Sequence, residues 1–70
     1  MTVEELLTYA SYIDGDVIVT GHDNVGNDAI LFQSAGVPFT SRIPSRIANA
    51  EIEAYDIEEG RFRIYTMLVR

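Results

Sequence analysis

The sequence contains no cysteine, no tryptophan and a single histidine, His22. Without thiols the chain forms neither disulfides nor the thiolate metal sites that stabilise many small domains. No apolar run approaches the ~18 residues of a membrane-spanning helix, and the acidic start of the sequence is unlike a secretory signal. These absences predict a cytoplasmic protein that binds no metal or cofactor and does not enter a membrane.

Basic residues are also scarce. Five arginines and no lysine face eleven acidic residues, which gives a net charge of −6. Because a surface this negative repels a phosphate backbone, we predict no direct binding to nucleic acid. An acidic surface could instead occupy the basic groove of a protein that handles nucleic acid. The more ordinary explanation is that moderate acidity keeps a small domain soluble.

The chain is short for its apolar content. Its 70 residues, of which 47% are apolar, predict one domain over residues 1–70. A domain of this size buries only roughly 60% of the surface that its unfolded chain exposes, so some apolar side chains remain at the surface. With no disulfide or metal to supplement the core, we predict a homo-oligomer or a domain that docks onto a larger partner.

The beginning of the sequence predicts a helix. Thr2 and Glu5 have the three-residue spacing of a capping box, in which each side chain satisfies a free backbone N–H. Apolar residues then recur at helical spacing as far as Ile13. Asp14 and Gly15 are expected to end the helix, with Gly15 adopting a positive φ.

Two strands are predicted to follow. Residues 16–21 and 29–34 are rich in β-branched and apolar side chains, and the polar segment 22–28 between them is most simply a hairpin loop. The alternative is a weak cation site, or an acid–base pair formed by His22 with Asp23 or Asp28. The segment does not match the spacing of a calcium-binding loop.

The last twenty residues predict a second hairpin, because pairing them places charged and apolar side chains on opposite faces. If Glu59 and Gly60 form a two-residue turn, opposite charges meet on one face and apolar side chains on the other, which we assign to the core. A register shifted by one residue would destroy this sorting. The predicted partners are Glu58 with Arg61, Ile57 with Phe62, Asp56 with Arg63, Tyr55 with Ile64 and Ala54 with Tyr65.

A short helix is predicted between the two hairpins. Pro44 suits its first turn, because a proline lacks only an N–H that is unbonded there in any case, and the helix is expected over residues 45–49. The predicted fold is therefore α+β: an N-terminal helix packed on a four-stranded antiparallel sheet made of two hairpins, with the short helix between them.

No catalytic signature is evident in the sequence. It contains no nucleophile elbow and no Walker or dinucleotide glycine pattern. Nothing pairs a nucleophile with a base, which most catalytic sites without a metal require. We therefore predict that the protein is not an enzyme and acts by binding.

The pattern Ser-Arg occurs twice, four residues apart, where the short helix should begin. Free N–H groups at a helix N-terminus attract anions, and two arginines with nearby hydroxyls could hold a phosphate or carboxylate. The simpler alternative is a capped turn whose arginines pair with acids such as Glu51 or Glu53. The candidate anion-binding residues are Ser41, Arg42, Ser45 and Arg46.

The second hairpin carries apolar side chains on both of its faces, which is more than a single core can bury. Tyr65 and Met67 are predicted on its charged face, together with Ile52 at its open end. Exposed aromatic residues and methionine are typical of interface cores. Ile52, Tyr65 and Met67 are therefore candidate interface residues, and the alternative is a sheet covered on both sides by the chain itself.

The sequence also resembles small accessory proteins encoded by phages and prophages of Gram-positive bacteria. The resemblance is carried by residues 1–7 (MTVEELL), the strand that follows, Ile43-Pro44, and the start of the last hairpin at 51–56 (EIEAYD). It implies a non-enzymatic inhibitor of a host defence factor that acts by protein contact in the host cytoplasm, as anti-CRISPR proteins do. The implied alternative is a homo-oligomer that sequesters a small anionic ligand, such as a nucleotide immune signal.

Overall fold

A computed structural model describes residues 1–9, 15–36 and 42–70. The elements are α1 (Val3–Tyr9), β1 (Asp16–His22), β2 (Asp28–Ser34), α2 (Ser45–Ala48), β3 (Ile52–Glu58) and β4 (Arg61–Val69). The predicted order of helices and strands is confirmed. The helix predicted beyond Tyr9, over residues 10–14, lies outside the described residues, whereas Gly15, for which a positive φ was predicted, has a φ of 135°.

The predicted capping box begins α1. The Thr2 N–H donates to Glu5 Oε1 at 3.0 Å, and the Glu5 N–H donates to Thr2 Oγ1 at 3.2 Å. Hydrogen bonding to the Glu5 carboxylate from the backbone N–H of Thr2, and from the Thr2 side chain, lowers the pKa of Glu5 because it favours the ionised form. The first N–H of the helix, that of Val3, donates instead to the Ala50 carbonyl at 3.0 Å.

The four strands form one sheet in the order β2-β1-β4-β3. The outer pairs are antiparallel, whereas the central pair of β1 and β4 is parallel. The prediction of a purely antiparallel sheet is therefore wrong, and the sheet is mixed. The connection from β2 to β3 passes through α2 and re-enters the sheet at the end where β2 began, so β3 runs with β2 and β4 runs with β1.

The hydrophobic core lies on one face of this sheet. β1 contributes Val17 and Val19, which alternate with half-buried residues, and β4 contributes Phe62 and Ile64. Both helices pack on the same face. Their buried side chains are Val3, Leu6 and Leu7 of α1 and Ile47 and Ala48 of α2. The opposite face of the sheet is called the open face below.

The predicted register of the β3–β4 hairpin is confirmed at all five pairs, from Glu58 with Arg61 to Ala54 with Tyr65. Tyr55 does lie on the core side of β3, and its ring centroid is 5.7 Å from that of Phe62. It is nevertheless 53% exposed rather than part of the core. The reason is topological, since β3 is an edge strand of the sheet and its residues from Glu53 to Glu58 are all exposed.

The turn of this hairpin places two residues at positive φ, Glu59 at 53° and Gly60 at 76°. Such a turn strongly favours asparagine followed by glycine. We expect Glu59→Asn to stabilise the domain by roughly 0.5 kcal/mol, because asparagine adopts this conformation more readily than glutamate. Denaturant titration measures the gain. Glu59→Gln is the control, since it removes the charge without favouring positive φ, and an equal gain from it would contradict the explanation.

Candidate binding surface

An open hollow of about 280 Å³ lies on the open face, where β2, β1 and β4 adjoin. Ile18 of β1 and Ile30 of β2 supply apolar lining, while Arg61, Arg63 and Tyr65 line it from β4. The parallel pairing sets Ile18 beside Arg63 and Thr20 beside Tyr65. Arginine, tyrosine and isoleucine side chains from three strands therefore share one shallow surface.

Arg63 is held in place by acids of the neighbouring strand β3. Its Nε donates to Asp56 Oδ1 at 3.0 Å, and its second amino group donates to Glu58. The Tyr65 hydroxyl lies 3.5 Å from the other oxygen of Asp56. The hydrogen bond to Asp56 and the charge of that carboxylate raise the pKa of Arg63. The charged face predicted for the hairpin is thus an ordered network at the border of the hollow.

Charge exchange between Asp56 and Arg63 tests this network. Asp56→Arg sets two arginines directly opposite each other and should lower the midpoint of thermal unfolding by a few degrees, because like charges repel across strands. The double exchange, Asp56→Arg with Arg63→Asp, should restore most of the loss. Thermal unfolding of the wild type and the two variants measures both effects. A double variant that recovers nothing would contradict the pairing.

The predicted interface residues occupy two different places. Tyr65 is half-buried on the open face, and Met67, two residues further along β4, is 66% exposed. The placement of Ile52 on that face was wrong. β3 has a bulge, so that Ile52 pairs with Thr66 while Ala54 pairs with Tyr65. The extra residue turns Ile52 to the core side, where it packs against the buried cluster.

The bulge nevertheless brings Ile52 and Met67 to one place. Both line an apolar hollow of about 220 Å³ at the beginning of β3, together with Ala50, Glu51, Glu53 and Leu68. The sequence suggested an association of these two residues, but by alternation along flat strands. In the structure, the two residues instead line the same hollow at the beginning of β3.

The candidate anion site is only partly described. Ser41 lies outside the described residues, whereas Arg42, Ser45 and Arg46 are exposed. One amino group of Arg46 donates to the Val69 carbonyl, which ties α2 to the end of β4. Since α2 has four residues and Pro44 provides no side-chain cap, its own N-terminus offers an anion little. An anion site at these residues stays a prediction.

The segment between β1 and β2 is organised by Asp23. Its Oδ1 accepts the N–H groups of Val25 and Asn27, each at 2.9 Å, and these bonds lower the pKa of the carboxyl. The Asp23 N–H also donates to the Asn27 carbonyl at 2.8 Å. His22 Nδ1 lies 3.9 Å from Asp28 Oδ1 across the hairpin. The carboxylate is thus used inside the loop, which supports the simple hairpin interpretation.

Sequence reasoning missed the residues that β1 and β2 bring to the hollow, above all Ile18 and Ile30. The β-branched run predicted the strand that contains Ile18, but it did not identify which strands lie beside it. Among the described residues, there is no group of three or more His, Asp or Glu side chains that could hold a metal ion. None of the helices described here is long and apolar enough to cross a membrane.

No protein-family model matches the chain, and no curated protein or solved structure was found to be similar to it.

Proposed function

We propose that the protein is a non-enzymatic binding protein that contacts a protein partner through its open face. The observation that carries this proposal is the position of both described helices on the opposite face of the sheet. They leave Ile30 54% exposed and Met67 66% exposed on a surface that also carries Tyr65. An apolar surface bordered by charged residues is typical of interaction sites.

The chemistry of this surface suits a protein more than a small apolar molecule. Tyrosine, methionine and arginine are enriched in the cores of protein interfaces. Arg63 is already fixed by Asp56 and Glu58, so its side chain loses little conformational freedom on binding. The hollow is shallow and lies across three strands, which suits a protruding side chain of a partner.

We further propose that the partner is a host defence factor and that binding inhibits it. The resemblance to small phage and prophage proteins supports this role, and the net charge of −6 supports a basic partner surface. A protein that handles nucleic acid presents such a surface, and the acidic chain would compete with nucleic acid for it.

The test is affinity purification from a Gram-positive host with active defence systems, using wild type, Met67→Glu and Val25→Glu. Val25 is 80% exposed in the loop between β1 and β2, so its variant matches Met67→Glu in chemistry but leaves the open face intact. We expect the same partner with wild type and Val25→Glu. Met67→Glu should weaken that partner's affinity at least tenfold, because a charge enters an apolar contact.

Activity provides the second half of this test. Wild type and Val25→Glu should both suppress the defence against an incoming phage, and Met67→Glu should not. A partner that all three chains retain equally would contradict the role of the open face. Suppression by a chain that retains no partner would contradict inhibition by protein contact.

The hollow also favours a second candidate function, a homo-oligomer that sequesters a small anionic ligand. Arg61 and Arg63 line the hollow together with Thr20 and Tyr65. Thermal shifts against linear and cyclic nucleotides test this function on wild type, Arg61→Ala and the double variant Arg42→Ala with Arg46→Ala. No shift is expected if the partner is a protein. A shift abolished by either variant assigns the ligand to that site.

A further inference from the structure

The outer edge of β3 is a second surface, separate from the open face. The other edge of this strand pairs with β4. On the outer side, a short antiparallel bridge from Thr2 to Glu51 covers only the beginning, and the Ile52 N–H donates to the Met1 carbonyl at 2.9 Å. From Glu53 to Glu58 no described residue pairs with this edge. The outward-facing backbone groups within this stretch of six residues are therefore open to an added strand.

The turn determines which backbone groups face outward. In a hairpin with a two-residue turn, the residues that flank the turn exchange both backbone hydrogen bonds, and bonded and non-bonded pairs then alternate. Glu58, Asp56 and Ala54 therefore direct their N–H and C=O groups to β4. Tyr55 and Ile57 direct theirs outward, where an added antiparallel strand would bond to them.

The side chains along the edge are sorted by face. Tyr55 and Ile57, 53% and 54% exposed, lie on the core side beyond the cover of the helices. The ring of Tyr55 rests near that of Phe62 and so extends the core outward. Asp56 and Glu58 lie on the other face, and Glu53 is exposed at the bulge. An added strand would thus meet apolar groups on one face and carboxylates on the other.

We propose that this edge binds an extended segment of another protein in which basic and apolar residues alternate, added antiparallel to β3. Charge complementarity decides between this occupant and a second copy of the chain. The segment 51–59 contains five acidic residues and no basic one. Pairing β3 with β3 would bring two such acidic segments together, whereas a basic strand would neutralise one.

The probe is a capped heptapeptide that alternates arginine and valine, compared with its glutamate and valine counterpart. Titration of the full chain, followed by the amide resonances of β3, gives the affinities. We expect the arginine peptide to bind at least tenfold more tightly than the glutamate peptide. Its binding should shift the amide resonances of Tyr55 and Ile57 most, because these groups form the new hydrogen bonds.

Two methylated peptides separate strand addition from simple attraction to an acidic protein. Valines placed opposite Tyr55 and Ile57 direct their N–H groups toward β3, so N-methylation of the valines should weaken binding at least tenfold. N-methylation of the arginines blocks only the far edge and should change affinity by less than threefold. Equal affinities for these two peptides, which have the same charge, would overturn the proposal.

Matched variants of the protein locate the site. Glu53→Lys should weaken binding of the arginine peptide several-fold, whereas Glu4→Lys makes the same charge change at an exposed position of α1 and should have little effect. Ile30→Glu, on β2 at the far side of the open face, should bind the peptide as wild type does, which distinguishes this surface from the open face. If the free chain is a dimer that the peptide dissociates, the occupant of β3 is a second copy and the proposal fails.

Discussion

Replacing Gly21 with alanine is expected to destabilise the domain by about 3 kcal/mol, at the upper end of the usual cost of overpacking. Gly21 lies in β1 with β2 on one side and β4 on the other. A Cβ added to it would lie 2.4 Å from the carbonyl oxygen of Leu68 and 2.6 Å from Cδ1 of Leu31. Since a backbone carbonyl cannot rotate away as a side chain can, β1 and β4 would have to separate locally.

A loss of this size is serious for so small a domain, because proteins of this kind have roughly 0.05–0.15 kcal/mol of stability per residue. Denaturant titration measures it. Gly26→Ala is the control, since Gly26 has a φ of 88° and nothing within 4 Å of an added Cβ. It should cost only about 1 kcal/mol of backbone strain. Similar losses for both variants would contradict the close approach of β4 to Gly21.

Leu31 offers a second control. Gly21→Ala combined with Leu31→Ala should lose less stability than the sum of the two single variants, because the side-chain part of the clash is removed. The contact with the Leu68 carbonyl remains, so recovery should be incomplete. Additive losses would show that Leu31 does not limit the space beside Gly21.

Thr66→Val is expected to cost about 1–3 kcal/mol, although valine has nearly the same shape as threonine. Thr66 is 1% exposed in β4. Its hydroxyl donates to the Thr20 carbonyl at 3.1 Å and accepts the Leu68 N–H at 3.3 Å. At this point the register between β1 and β4 shifts, from Thr20 opposite Tyr65 to His22 opposite Val69. The hydroxyl thus supplies hydrogen bonds at the point where the register shift interrupts the regular backbone bonds between β1 and β4.

Two controls isolate the hydroxyl of Thr66 in the same denaturant titrations. Thr66→Ser keeps the hydroxyl and should lose only about 1 kcal/mol with the buried methyl group. Thr8→Val removes an exposed hydroxyl that donates to the Glu4 carbonyl at 2.9 Å, and should change stability by less than ~0.5 kcal/mol. Faster hydrogen exchange at the Leu68 amide should accompany Thr66→Val. Wild-type stability in Thr66→Val would contradict the role of the hydroxyl.

The candidate binding surface was only partly visible in the sequence. Tyr65 and Met67 were identified because the charged pairs of the hairpin fix which β4 residues share a face. Ile18 and Ile30 were not, because their contribution depends on β1 lying beside β4. Ile52 was misplaced because a bulge inserts one residue and reverses the alternation beyond it. No local pattern at Glu53 marks that insertion.

The sequence by itself determined the elements whose interactions are local. The capping box of Thr2 and Glu5 spans three residues, and the register of β3 with β4 follows from a two-residue turn and the charge sorting around it. The pairing of β1 with β4 was decided only by the tertiary structure. It joins segments about 45 residues apart, Asp16 with Arg61 among them, and depends on the passage of α2 over the core face. Neither strand carries a local signal for this pairing. Whether β4 runs parallel or antiparallel to β1 depends on how the connection between the hairpins crosses the apolar face of the sheet.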